Sequence, residues 1–264
     1  MPPTMTTNQG HATVRDRVLP LVQEFYASNR QIKESHGIVH AMAVHNHAVN
    51  AIKSANQNDE SCNGLDDAME IEAAALLHDV DDSKYFPNNE KKENARTILE
   101  KAGIPSSSVD LIVQMIGWVS GSTNGNKVPS IIQETGNYRW LIPRWADRLE
   151  AVGVRGVVRC YLYSVEHNQL LSSPESPRAT TEEQVWELAN PARFERYCQG
   201  NRSTDMMSHY YDKLLHVARP PPDIVRNQYL ESKAMNGAGP LVEICIRFGK
   251  TGVVDEDYIQ SLEK

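Results

Sequence analysis

The apolar run AAALL at residues 73–77 ends abruptly in HDVDD, His78 to Asp82, with Lys84 two places further on. A histidine and an aspartate in succession cannot both face the core of a helix bundle, but at a helix terminus both side chains can turn toward one point. A cation at that point accounts for the pair. Upstream, SHGIVHAMAVHNHAV sets His36, His40 and His47 on one helical face with His45 off it, and any one of the three can complete a cation site. Downstream, LIPRWADRLEAVGVRGVVRCYLY reads as one helix, in which Asp147 falls among Ala151, Val154, Val158 and Tyr161 at about 100° per residue. A carboxylate left unpaired in such a stripe costs several kcal/mol, so it calls for a metal or a cationic partner, or stands as half of a structural ion pair. Along the edge of that face Arg144, Arg148, Arg155 and Arg159 lie within about 60° of one another, a stripe suited to a phosphate group, to the carboxylates, or to solvent.

The elements that must position these residues are helical almost throughout. From Thr13 onward apolar positions recur at spacings of three and four, strand-like alternation is nearly missing, and the expected fold is all-α. Punctuation agrees. KAGIPSSS reads as a glycine stop followed by a proline–serine restart, and TTEEQ offers Thr180 as an N-cap with Glu183 in capping-box register. Residues 120–130 and 168–183 are rich in Gly, Ser, Asn and Pro and read as loops, the first able to cover a site and the second an insertion. ARPPPDIV reads as the tight start of a last helix rather than a linker. The expectation is a flexible tail over 1–12 and one helical domain over 13–264.

The bulk numbers narrow the function classes. With 264 residues, 40% hydrophobic and 23% charged, the chain can bury a core without disulfides. A net charge of −7 argues against a general binder of nucleic-acid polymers and for a small substrate. The four cysteines, Cys62, Cys160, Cys198 and Cys245, form no CxxC pair and suit a reducing compartment. Neither a secretory leader nor a bilayer-spanning run of roughly 20 apolar residues is recognisable, so no membrane partner is expected and the expected location is the cytoplasm. Oligomeric state is not legible.

In order and helical context, His40, His78–Asp79 and Asp147 resemble the H…HD…D pattern of the HD superfamily of metal-dependent phosphohydrolases. AALLHDVDDSKY, ADRLEAVGVRGVVRCYLY and SHYYDKLL (Ser208 to Leu215) are similar to three consecutive blocks of the branch that includes bacterial deoxynucleoside triphosphate pyrophosphohydrolases. The likeness spans roughly residues 15–235 and implies a single helical-bundle domain of the HD type.

It further implies that His40, His78, Asp79 and Asp147 bind one divalent metal ion. Two imidazoles and two carboxylates favour Mn²⁺, with Fe²⁺, Co²⁺, Ni²⁺ or Mg²⁺ possible. Asp82 stands where an assisting acid occurs in related enzymes and is the expected proton-transfer residue. Lys84, Arg148 and Lys213 are candidates for neutralising a phosphate, Lys84 with a catalytic part as well, while His209 and Tyr210 are substrate-binding candidates and Ser120 a weaker one. No histidine lies between Asp79 and Asp147, where dinuclear members of the superfamily carry extra ligands, so one ion is expected. The function implied is hydrolysis of a phosphoanhydride or phosphomonoester of a nucleotide by metal-activated water, with pyrophosphate release suggested by the likeness alone. The alternatives are a non-catalytic nucleotide-binding module and a hydrolase of a non-nucleotide phosphate ester.

Overall fold

In the computed structural model, which describes residues 13–33, 36–58 and 67–262, every regular element is helical. The expected tail at 1–12 and Cys62 lie outside the described residues. The first half comprises α1 (Val14–Ser28), α2 (Ile38–Asn58), α3 (Ala68–Leu77), α4 (Glu93–Lys101) and α5 (Ser106–Val119). Short α6 (Gly121–Asn124) and α7 (Ser130–Thr135) lead through a 3-10 turn to α8 (Ile142–Leu149) and α9 (Gly153–Glu166). The remainder is α10 (Glu182–Leu188), α11 (Pro191–Cys198), α12 (Met206–His209), α13 (Leu215–Ala218), α14 (Pro222–Val225), α15 (Gln228–Asn236), α16 (Ala238–Thr251) and α17 (Glu256–Ser261). A π-turn over Tyr210–Leu214 joins α12 to α13. No helix among the described residues is long and apolar enough to cross a membrane.

The centre of the bundle is α3, which packs against α1, α2, α5 and α8, while α2 also packs along α8. Its sequence explains the position. Ala73, Ala74 and Ala75 are fully buried beside Ile71, Leu76 and Leu77, so the second half of the helix is apolar on all sides and its short side chains let neighbouring backbones close in. Around it α1 presents Val14, Val18, Val22 and Tyr26 at four-residue spacing, started by a capping box in which Thr13 and Asp16 satisfy each other's amides. A Gly103 turn with φ +66° separates α4 from α5, as the sequence predicts.

Three expectations need correction. The stretch 141–163 is two helices, not one, because the chain turns through Glu150–Val152 and restarts at Gly153, whose φ is +69° and whose amide donates to the Gly237 carbonyl at 2.9 Å. The helical count therefore fails across the break. Val154 is exposed, and Asp147 lies in the last turn of α8 with its side chain 29% exposed rather than amid an apolar stripe. The cap of α10 is Thr181, which accepts from the Gln184 amide, while Thr180 uses its own amide and hydroxyl to reach the Gln184 side chain. The proline run opens α14, a single turn with three helices after it, so it does not start the last helix.

Candidate metal centre

Hydrogen-bonded helix ends at Leu77, and His78 takes the C-cap position. The last carbonyls of a helix lack amide partners, and the Nδ1–H of His78 donates to one of them, Ala75 O, at 2.9 Å. That bond fixes the tautomer and leaves Nε2 as a lone pair directed away from the helix. The acids that follow divide their work. Asp79 turns toward His78, whereas Asp81 is buried and accepts from the Asn94 and Ala95 amides at 3.1 and 2.9 Å and from the Asn89 side chain, pinning the start of α4.

His40, in the first turn of α2, brings its Nε2 to 3.1 Å from Nε2 of His78. Around these two nitrogens stand Asp79 Oδ2, 3.5 Å from His40 and 3.3 Å from His78, and Asp147 Oδ1, 3.2 Å and 3.6 Å from the same atoms. An ion bound at about 2.1–2.2 Å sets adjacent ligand atoms roughly 3.0–3.6 Å apart in octahedral or tetrahedral arrangement. All five separations match. Asp79 Oδ2 is moreover buried without a hydrogen-bond partner, an oxygen that a cation would satisfy. His40, His78 and Asp147 each bring a ligand atom within 4.8 Å of the others, and this donor set fits a divalent transition ion.

The electrostatics point the same way. Burial works against a charged His78, yet the Asp79 and Asp147 carboxylates hold its pKa up to about 9. Burial likewise works against ionised Asp147, but the His40 and His78 imidazoles keep its carboxyl well below the ordinary range. The cluster is built to hold positive charge.

At its edge, Asp82 sits one turn past Asp79, with Oδ1 accepting the Lys84 amide at 2.8 Å and Oδ2 3.9 Å from His36 Nε2. The exposed Lys84 ammonium reaches His36 Nε2 at 3.1 Å. Burial pushes the His36 pKa down to about 4, so the ring is neutral and accepts from Lys84. His36 thus stands at the rim and His40 in the cluster, while His47, from the same stretch of sequence, pairs with Glu150 at 3.4 Å and Tyr229 at 2.8 Å.

The arginine stripe serves the fold. Arg148 is buried, donates to Asn126 Oδ1 at 2.7 Å and to the Gly125 carbonyl, and lies 4.4 Å above the Trp145 ring. Arg144 donates to the carbonyls of Trp118 and Lys127 at 2.7 and 2.9 Å. Both clamp the loop at 120–130, in which Ser120 caps α6, so Arg148 is not a free cation awaiting phosphate. Arg155 and Arg159, on α9, bond the side chain and carbonyl of Glu150. Tyr210 is fully buried in the core, a packing residue rather than a cleft wall. His209 lies against Tyr197 and Ser203, and burial with Lys213 nearby pushes its pKa down to about 3. Lys213 Nζ is 5.7 Å from the Tyr197 ring.

Glu150 is the residue the sequence reading missed. It is 4% exposed, and His40, His47 and Arg155 offset the effect of burial and bring its pKa down to about 2. Its signal was present: DRLE puts it three residues after Asp147, hence on the same side of the helix end.

No family model matches the chain. Over 240 residues it is 35% identical to uncharacterized protein L803 of Acanthamoeba polyphaga mimivirus, covering 86% of this chain and 93% of that one. The chain belongs to the same family as L803. Among solved structures, a Lactobacillus plantarum protein superposes with a TM-score of 0.60 at 21% identity, over 88% of this chain and 95% of that one. The Lin1889 protein of Listeria innocua gives 0.51 at 19%, over 96% of each. A protein of Bacillus thuringiensis described as an HD-superfamily hydrolase gives 0.50 at 17%, over 95% and 99%. The chain thus has the all-helical fold of these solved structures, one of which is described as an HD-superfamily hydrolase.

Proposed function

We propose that this chain is a cytoplasmic, metal-dependent phosphohydrolase acting on a nucleotide. The observation that carries the reading is the set of five distances, 3.1–3.6 Å, among donor atoms of His40, His78, Asp79 and Asp147. The HD fold and the hydrolase description of the Bacillus thuringiensis neighbour support it. These four residues would hold one divalent ion, Mn²⁺ in the first instance. Bound there, such an ion acidifies water and polarises the phosphoryl oxygen it touches.

The chain's own groups supply the rest. Asp82, which accepts the Lys84 amide and stands 3.9 Å from His36, is the residue to which this reading gives the taking of a proton from water or its return to a leaving oxygen. Lys84, exposed at the rim, offsets phosphate charge, and neutral His36 holds its ammonium in place. Lys213, with His209 beside it, is the candidate for the distal part of the substrate.

A second reading, hydrolysis of a smaller, non-nucleotide phosphate ester, gains from the commitment of Arg144 and Arg148 to protein carbonyls, which removes two cations from service to a polyphosphate. A panel of nucleoside mono-, di- and triphosphates and simple phosphate esters, incubated with Mn²⁺ and read by product identification, separates the two. Nucleotide turnover yielding phosphate or pyrophosphate, abolished in Asp79→Ala, is expected. Metal-replete protein that turns over nothing, with Asp79→Ala binding Mn²⁺ as tightly as the parent, ends the proposal.

A further inference from the structure

The grip of a histidine on a metal depends on what its other ring nitrogen does, because a fixed acceptor there sets the tautomer, the ring orientation and the basicity of the ligating nitrogen. For His78 that partner is in place at Ala75 O. For His40 it is half made. Its Nε2 faces the cluster, so the proton belongs on Nδ1, and Nδ1 is buried without a hydrogen-bond partner. It faces Oε2 of Glu150 at 3.7 Å, a buried oxygen whose near partner is the Arg155 guanidinium, an ion pair at 2.9 Å. Closing the gap by roughly 0.7 Å gives a hydrogen bond of ordinary length.

The carboxylate is held for this task from three other directions. Oε1 lies 3.4 Å from His47 Nε2, and the other nitrogen of that ring is 2.8 Å from the Tyr229 hydroxyl on α15. Arg155, from α9, sits 2.9 Å from Oε2, and Arg159 donates to the Glu150 carbonyl at 3.0 Å. A side chain fixed so thoroughly, one turn from Asp147 and facing an imidazole with a proton to give, has a purpose beyond filling space.

We infer that Glu150 is a positioning residue of the metal centre: it accepts the Nδ1 proton of His40 and so aims the Nε2 lone pair at the cation. This rests on the reading of His40 as a ligand. The experiment is calorimetric titration of the metal-free full chain with MnCl₂ at fixed pH. Glu150→Gln, which keeps the shape and removes the charge, lowers Mn²⁺ affinity by about 10–100-fold. Glu150→Asp, which keeps the charge but withdraws it by one methylene, lowers it as well, whereas attraction at a distance alone leaves it within twofold of the parent. Helical circular dichroism checks that each variant folds; should Glu150→Gln fail, Glu150→Asp carries the test, since it retains the charge that faces Arg155. Either folded variant binding Mn²⁺ within twofold of the parent overturns the inference and leaves the metal centre standing. A parent chain that binds no Mn²⁺ overturns the metal centre itself, and the inference with it.

Discussion

Nε2 of His40 and Nε2 of His78 lie 3.1 Å apart. Two lone pairs do not face each other at that distance, so a proton or a metal ion must stand between them. Without metal it is a proton, and His78 holds it up to about 9, against burial, through the Asp79 and Asp147 carboxylates. The free value is near 6.5, so the folded pKa is the higher one. The associated stability is present in full below about 6.5 and is lost as pH rises through about 9. Metal-free protein should therefore lose a few degrees of Tm between pH 6.5 and 9.5, while Mn²⁺ affinity rises over the same interval as the proton departs. Thermal melts with and without Mn²⁺ check both; a metal-free Tm that climbs across this range contradicts the assignment.

Asp82 accepts the Lys84 amide and stands 3.9 Å from His36, not among the 3.1–3.6 Å contacts of the cluster. Its replacement separates chemistry from binding. Asp82→Asn should lower turnover by about 10²–10⁴-fold and leave Mn²⁺ affinity within a few-fold. Loss of metal with preserved turnover per bound ion would move Asp82 from proton transfer into the ligand set.

Arg144 is 1% exposed and bonds the Trp118 carbonyl at the end of α5 and the Lys127 carbonyl of the loop that follows. Arg144→Met leaves Trp118 O and Lys127 O without these donors, at a cost of about 2–4 kcal/mol, or roughly 5–12 °C in Tm. Differential scanning fluorimetry reads the drop. A Tm within 2 °C of the parent, on a scale of roughly 2–4 °C per kcal/mol, means the clamp contributes little.

The coil between α9 and α10 is seated rather than loose. A β-carbon built on Gly249 of α16 would lie 1.8 Å from the Ala179 carbonyl, and Ala179 is fully buried. Gly249→Ala should destabilise the protein by about 3 kcal/mol or more, since the obstacle is backbone and cannot rotate away. Chemical denaturation measures it; a loss below about 1 kcal/mol means the coil lifts off without penalty.

The fold class was legible because nearly every segment carries three-and-four periodicity. His78 and Asp79 could be singled out because they end an apolar run, and Asp147 because a helical count, which fails at the break before Gly153, set it in an apolar stripe. What the sequence could not show depends on contacts made across the chain. The break before Gly153 rests on a carbonyl 84 residues on, at Gly237. Arg148 and Arg144 were read as one stripe with Arg155 and Arg159 because the partners that claim them, at 118 and 125–127, are set by folding. Asp81 looked like one more acid beside His78 until the α4 amides 13 and 14 positions ahead claimed it. Tyr210 and His209 are adjacent, and only the packing around the π-turn makes the first a core residue and the second half-buried.

The three fully buried alanines of α3 have a consequence for how such a chain can diversify. Because α3 meets its neighbours through methyl groups, the spacing between the helices that carry His40, His78 and Asp147 is governed by main chain against main chain, with little slack for side-chain rearrangement. Loops such as 120–130 can then change length and chemistry while the spacing of the helices behind them stays put.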